Sequence, residues 1–303
     1  MSADFSPIRW DATLEADCRK LIRLALDEDL AGERDWTTWA IVGDDRSATA
    51  DIVARAPGIV AGLQAPPLVF AEFGAKVEWD STLQDGAAIE PGQKVATMAG
   101  NAGDLLTTER TVLNFLGRLC GIATLTARFV AAAGSARARV YDTRKTTPGW
   151  RRLEKYAARC GGGHNHRAGL YDAVLIKDNH LALSSQQGLK PADAVLRARQ
   201  RLCERSSGGQ GMVVEVEVDT LDQLREVLPA GPDIVLLDNM GADQLRQAIA
   251  VRDAVAPEVV LEASGGISLS SVAEIAATGV DRLSVGALTH SAVSLDLGLD
   301  WRY

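Results

Sequence analysis

The sequence predicts an α/β protein with an amino-terminal layer of sheet and helix and a carboxy-terminal parallel α/β domain. Three observations carry this. Short β-like runs separated by turn-formers fill the first 110 or so residues. From Arg137 onward, apolar strand candidates alternate with helical patterns. Polar residues then recur at the same place in successive units, as they do on the rim of a parallel barrel.

The elements follow in order. Leu14, Cys18, Leu21, Ile22 and Ala25 repeat at helical spacing and predict an amphipathic helix within Leu14–Leu30. Thr49–Arg55, Gly58–Ala61 and Lys76–Trp79 read as strands, with Pro57-Gly58 and Pro91-Gly92 as turns. Within Thr107–Ala133, Val112, Leu113, Leu116, Leu119 and Cys120 mark one or two helices linking two domains, with Gly121 as a candidate break. The later strand candidates are Ala138–Asp142, Ala173–Lys177, Val213–Val218, Ile234–Leu237, Val259–Ala263 and Arg282–Val285. Helices are expected at Trp150–Cys160, Ala192–Leu202, Leu221–Leu228, Ala242–Ala254 and Ser270–Ala277. Consecutive units with short loops favour a barrel, and periodicity alone leaves a doubly wound sheet open.

The bulk properties of the 303 residues are those of a soluble globular protein, 47% hydrophobic and 24% charged. No apolar run approaches the ~20 residues of a bilayer span, and no secretory signal is visible in the acidic first residues. Cys18, Cys120, Cys160 and Cys203 lie far apart, which argues against a zinc or disulfide framework and for a reducing cytoplasm. The net charge of −8 speaks against general nucleic-acid binding. It is unevenly spread. Residues 109–180 hold thirteen Lys or Arg against five Asp or Glu, a local surplus of +8 that leaves −16 elsewhere. Such a concentration predicts a small, highly anionic ligand, although Arg151, Arg152 and Arg159 read as solvated helix charges.

Glu217, Asp238, Ser264-Gly265-Gly266 and Gly286 fall at or just past successive strand ends, at intervals of 21, 26 and 22 residues. In a barrel they would share one mouth. The two glycine-bearing turns, Ser264-Gly265-Gly266 and Val285-Gly286-Ala287, suit a phosphate; equally they suit tight turns that need positive φ. Thr143, Arg144 and Lys145 leave a strand with two cations and short donors, fit for carboxylate or phosphate. Gly161–Gly163 lead into His164, Asn165, His166 and Arg167. That is weak as a zinc signal and stronger as an anion site anchored by Arg167. Lys177 ends a strand inside the cationic window, and His180 is expected to organise the turn after it.

Seven segments carry a family resemblance: ALDEDLAGERDWTT, TTERTVLNFLGRLCGIATLTA, DTRKTTPGWRRLEKYAARCGGGHNHRAGLYDAVLIKDNH, VEVEVDTLDQL, IVLLDN, LEASGGIS and LSVGALTHS. In order and spacing they resemble the quinolinate phosphoribosyltransferases, or carboxylating nicotinate-nucleotide pyrophosphorylases, over almost the whole chain. The resemblance implies a glycosyltransferase of de novo NAD synthesis, a pentosyltransferase converting quinolinate and phosphoribosyl pyrophosphate to nicotinate mononucleotide, pyrophosphate and carbon dioxide. It implies an amino-terminal α/β sandwich over 1–112, joined by the tail at about 290–303, and an incomplete α/β barrel over 113–289. It places Arg110, Thr143, Arg144, Lys145, His166, Arg167 and Lys177 on quinolinate, with Arg110 reaching a neighbouring subunit's pocket in a homodimer or multiple of dimers. Glu217 and Asp238 are implied at the ribose and Mg2+, Lys145 joins them as the catalytic set, and Ser264, Gly265, Gly266, Val285, Gly286 and Ala287 hold the 5-phosphate. No nucleic acid or membrane partner is implied.

Two rivals are a paralogue on the same scaffold with another acceptor, such as nicotinate, and a non-catalytic phosphate-ligand sensor. The basic set with Arg144, Arg167 and Lys177 argues for a dicarboxylate, and a sensor has no need of Lys145, Glu217 and Asp238 together.

Overall fold

Residues 4–42, 46–134, 137–185, 188–204 and 211–302 are described by a computed structural model. They form two units. One comprises Ile8–Ala127, Lys145–Gly162 and residues 288–302; the other comprises residues 4–7, Arg128–Arg144 and Gly163–Ala287. The expected division at 112/113 thus falls inside a helix, and residues 4–7 belong with the later unit.

In the first unit the strands are β1 (Ser47–Ala54), β2 (Gly58–Ile59), β3 (Val77–Asp80), β4 (Ala88–Ile89) and β5 (Lys94–Asn101), with a tail strand Leu297–Arg302. Among the described residues four of these form an antiparallel sheet in the order tail, β1, β5, β3. The tail joins by pairing Asp51 opposite Asp300, and Arg302 bridges to Asp51 at 2.6 Å. The helix Ala12–Leu30 buries Leu14, Cys18 and Ile22, as its spacing predicts, and Asp11 caps it by accepting the Leu14 amide at 2.8 Å. The helix Ala65–Phe73 starts with prolines in its first turn, where no intrahelical N–H is needed.

The helix Ala102–Ala133 runs unbroken for 32 residues. Gly121 is not a break. A Cβ there would lie 2.1 Å from the Val293 carbonyl oxygen, so the glycine admits the tail segment against the helix. By length and composition this helix is apolar enough to cross a bilayer, with a window of mean hydropathy 1.3, yet 56% of that window is buried, as in a core helix. The helix Arg151–Cys160 also belongs to this unit, where Trp10 packs edge-on against Tyr156 and the Arg118 guanidinium meets the fully buried Glu154 at 2.6 Å.

The second unit holds β6 (Arg139–Tyr141), β7 (Val174–Ile176), β8 (Val214–Val218), β9 (Ile234–Asp238), β10 (Val260–Ser264) and β11 (Arg282–Ser284). All pairs are parallel, in the order β6-β11-β10-β9-β8-β7. This is chain order closed into a ring with one seam, between β6 and β7. A doubly wound sheet would reverse direction at a switch point, and this one does not. The fold is an incomplete α/β barrel. Residue 164 covers part of the β6 edge: the His164 amide donates to the Val140 carbonyl at 2.8 Å, and the Asp142 amide donates back to His164 at 3.0 Å.

Strand register decides which side chains face inward. Glu217 lies opposite Leu236, Leu236 opposite Glu262, Glu262 opposite Arg282, and Asp238 opposite Ser264. Parallel neighbours project to the same face, and so do residues two apart on one strand. Glu215, Glu217, Asp238, Glu262, Ser264, Arg282 and Ser284 therefore share the barrel interior. The intervening Val214, Val216, Val218, Val235, Leu237, Leu261, Ala263 and Leu283 face the helices and are buried.

Candidate active site

The carboxyl ends of the barrel strands gather most of the predicted residues. Asp238 ends β9 and Ser264 ends β10 side by side in register, with Glu217 one turn of the pleat deeper on β8. Lys177, just past β7, forms an ion pair with the buried Glu217. His180 organises that turn: its Nδ1 accepts the Lys177 amide at 2.9 Å. Asp238 accepts the Asn239 side-chain amide at 2.7 Å.

Gly265 and Gly266 have φ of 92° and 59°. A Cβ on Gly265 would sit 2.1 Å from Asn239 Oδ1, so glycine here serves both the bend and a close approach. Gly286 has no positive φ. The tight-turn reading therefore fails for Val285-Gly286-Ala287, whose Val285 amide donates to the Tyr141 carbonyl at 2.9 Å.

The segment after β6 is shaped by Asp142, which is wholly buried. Its carboxylate accepts the Asn165 side-chain amide at 2.6 Å and the His166 backbone amide at 2.8 Å. That bond pair folds the Gly-rich loop back and delivers Arg167, only 5% exposed, into the barrel unit. Arg167 donates Nη1 to the Ala173 carbonyl at 2.9 Å, while its buried Nε has no hydrogen-bond partner among the described residues. Burial and the positive charge of Arg144 pull its pKa down, against Glu215 and Asp172. Two cations held together at a desolvated position call for an anion.

His166 is buried to the same degree as Arg167. Its Nε2 is 3.1 Å from Glu215 and 3.3 Å from Glu262, and its Nδ1 accepts the Arg167 amide at 2.8 Å. Both ring nitrogens are thus used within the chain. Burial opposes a charge on the ring and the two glutamates favour one. The carboxylates prevail and raise its pKa to about 10, so Nε2 carries a proton between them. The three groups have metal-ligand types and lie within 4.8 Å of one another. Ser284 also donates to Glu262, and Arg282 lies 4.0 Å from it, so the cluster reads as an internal polar network.

Lys145 and Arg110 belong to the other unit, where both are exposed. Thr143 and Arg144 are half-buried in the barrel unit. The cationic window is thus divided, and several of its members are committed internally: Arg118 to Glu154, Arg137 to Asp281, and Arg152 to Asp11 and Asp17. Arg152 is therefore less solvated than its helix suggests. The interior residues Glu215, Glu262, Arg282 and Ser284 escaped the sequence reading, although the strict alternation of VEVEV announced two inward glutamates.

A seamed parallel barrel with carboxylates and Lys177 at its strand ends, and Arg167 buried in the same unit, defines an α/β-barrel enzyme for anionic substrates. The match to known proteins is specific. Residues 122–300 fit the family described as quinolinate phosphoribosyl transferase, C-terminal domain, and residues 35–120 the corresponding N-terminal domain. The chain is 45% identical over 286 residues to the nicotinate-nucleotide pyrophosphorylase [carboxylating] of Mycobacterium leprae, covering 93% of this chain and 96% of that protein. To a probable enzyme of the same name in Bacillus subtilis it is 40% identical, covering 93% and 92%. The solved nicotinate-nucleotide pyrophosphorylase from Francisella tularensis superposes with a TM-score of 0.87 at 35% identity, covering 99% of this chain and all of that one. The chain belongs to the quinolinate phosphoribosyltransferase family.

Proposed function

We propose that this protein transfers the phosphoribosyl group of phosphoribosyl pyrophosphate to quinolinate, with loss of carbon dioxide and pyrophosphate, giving nicotinate mononucleotide for NAD synthesis. The observation that carries this is Arg167, buried beside the charge of Arg144, with no hydrogen-bond partner for its Nε among the described residues. A dicarboxylate supplies the missing negative charge.

Arg144, Arg167 and Lys177 bind the quinolinate carboxylates, Thr143 adds a donor, and His166 contributes from beneath by holding Arg167. Ser264, Gly265, Gly266, Val285, Gly286 and Ala287 receive the 5-phosphate. Departure of pyrophosphate leaves positive charge on the ribose anomeric carbon, which Glu217 or Asp238 stabilises electrostatically. The pyridine nitrogen attacks that carbon; the resulting cationic ring stabilises the electron pair left at C2 as the 2-carboxylate departs as carbon dioxide, and C2 then takes up a proton from water. Lys145 completes the charge placement, and the protein's task is mostly orientation.

The donor set fits Mg2+: Glu217 and Asp238 are hard oxygen ligands projecting to the same interior face near the strand ends. Glu217 and Asp238 would hold the ion, which would supply positive charge to offset the negative charge of the substrate phosphates. Arg110, exposed on its helix, serves the pocket of a second subunit in a homodimer. Four free cysteines fit a reducing, cytoplasmic setting.

The test is carbon dioxide release by the purified protein with Mg2+, phosphoribosyl pyrophosphate, and either quinolinate or nicotinate. Quinolinate alone should release carbon dioxide; turnover of nicotinate with none of quinolinate overturns the reading.

A further inference from the structure

The amino-terminal residues are not part of the unit that follows them. Residues 4–7 belong to the barrel. There Phe5 is buried with Ala173 and Ile234, beside Val213 and Val260. These four sit at or just before the amino-terminal ends of β7, β8, β9 and β10, so Phe5 fills the barrel from the end opposite the strand-end carboxylates. Its ring faces that of His166 with centroids 4.6 Å apart and planes tilted by 30°. Asp4 secures the segment: it accepts from Tyr141 Oη at 3.1 Å, lies 3.5 Å from Arg282 and 3.8 Å from Arg139. Arg282 in turn lies over the rings of Phe5 and Tyr141, at 5.5 and 4.6 Å.

These contacts form a continuous path to the anion site. Phe5 supports one face of His166, Glu215 and Glu262 hold its Nε2, and its Nδ1 accepts the Arg167 amide. Removing the Phe5 ring leaves the imidazole with its edge contacts and without the stacked partner that fixes its tilt. The Arg167 backbone then loses a fixed acceptor, and its guanidinium loses part of its preorganisation.

We infer that Phe5, tethered by Asp4, is a positioning residue for the quinolinate site, acting through His166 on Arg167. The inference rests on the proposed function for its kinetic part and on geometry alone for the bracing of His166.

The test uses the full chain with Phe5→Ala, Phe5→Leu and Phe5→Tyr. Two quantities are followed: the ring signals of His166 by nitrogen-15 NMR, and KM for each substrate by carbon dioxide release. Phe5→Ala should shift or broaden the His166 signals and raise KM for quinolinate about tenfold, with KM for phosphoribosyl pyrophosphate changed less than about twofold. Phe5→Leu keeps apolar bulk without a flat ring; it should fold and still show both effects, which keeps the question answerable if the alanine variant unfolds. Phe5→Tyr should restore both. Unchanged His166 signals in a folded variant overturn the inference, and so does an equal rise in both KM values. If the wild-type protein releases no carbon dioxide from quinolinate, the functional reading fails separately, and the ring signals alone decide whether Phe5 braces His166.

Discussion

The carboxylate of Asp142 accepts the amide hydrogen of His166 at 2.8 Å and so fixes where the Gly-rich loop turns back into the barrel. Asp142→Ala leaves that amide and the Asn165 side chain buried without their acceptor, at a cost of about 1–3 kcal/mol each. A lowered denaturant midpoint together with a raised quinolinate KM is the expected result. Normal stability and normal KM would show that the loop holds its course without Asp142.

Arg167 and Asp238 should fail in different ways. Arg167→Ala removes the cation from a buried anion site, a loss of about 2–5 kcal/mol, and should weaken quinolinate binding strongly and phosphoribosyl pyrophosphate binding little. Asp238→Asn keeps the shape and removes a negative charge, so turnover should fall more than quinolinate affinity. Titration calorimetry and steady-state kinetics on both variants decide. The division of labour is wrong if Asp238→Asn loses quinolinate affinity as severely as Arg167→Ala.

Arg110 is exposed on the helix Ala102–Ala133, and Arg110→Ala should abolish activity without unfolding the protein. Lys177→Ala should likewise be inactive, and mixing the two variants should regenerate part of the activity, since one hybrid site is then intact. Mixed dimers that form by subunit exchange and stay inactive would sink the shared-site proposal.

The thiols differ sharply in environment. Burial pushes Cys18, Cys120 and Cys160 up to about 12, whereas Cys203 is exposed. Only a thiolate alkylates, and a group titrating at about 12 is ionised to roughly one part in ten thousand at pH 8. Brief iodoacetamide treatment of the native protein followed by peptide mapping should therefore find Cys203 modified first. Equal early labelling of Cys120 contradicts its burial.

The barrel was legible because its strands are apolar, short and regularly spaced, and because inward polar residues interrupt them at period two. β5 (Lys94–Asn101) was not, since KVATMAGN mixes small and polar residues and pairs on both edges without a clean alternation. The strand candidates Ala138–Asp142 and Val213–Val218 were each a residue too long at one end or both. Asp142, just past its strand, turned out to shape the loop. His166 shows the limit of residue type as a signal. A histidine beside an arginine in a glycine-rich loop reads as a ligand contact, and only the positions of Glu215 and Glu262 on distant strands reveal that its nitrogens point inward. Phe5 carried no signal, because a lone aromatic near a terminus has no periodicity to place it.

The tail strand Leu297–Arg302 completes the antiparallel sheet at β1, and Arg302 meets a carboxylate 251 residues earlier in the chain. On a ribosome, β1 emerges long before its outer neighbour, whose Arg302 lies 251 residues after Asp51. Until that neighbour arrives, the β1 edge displays unpaired amides and carbonyls, the kind of edge that recruits stray strands. In the barrel, β7 to β11 each pair with a strand adjacent in sequence, and β6 alone waits, for β11.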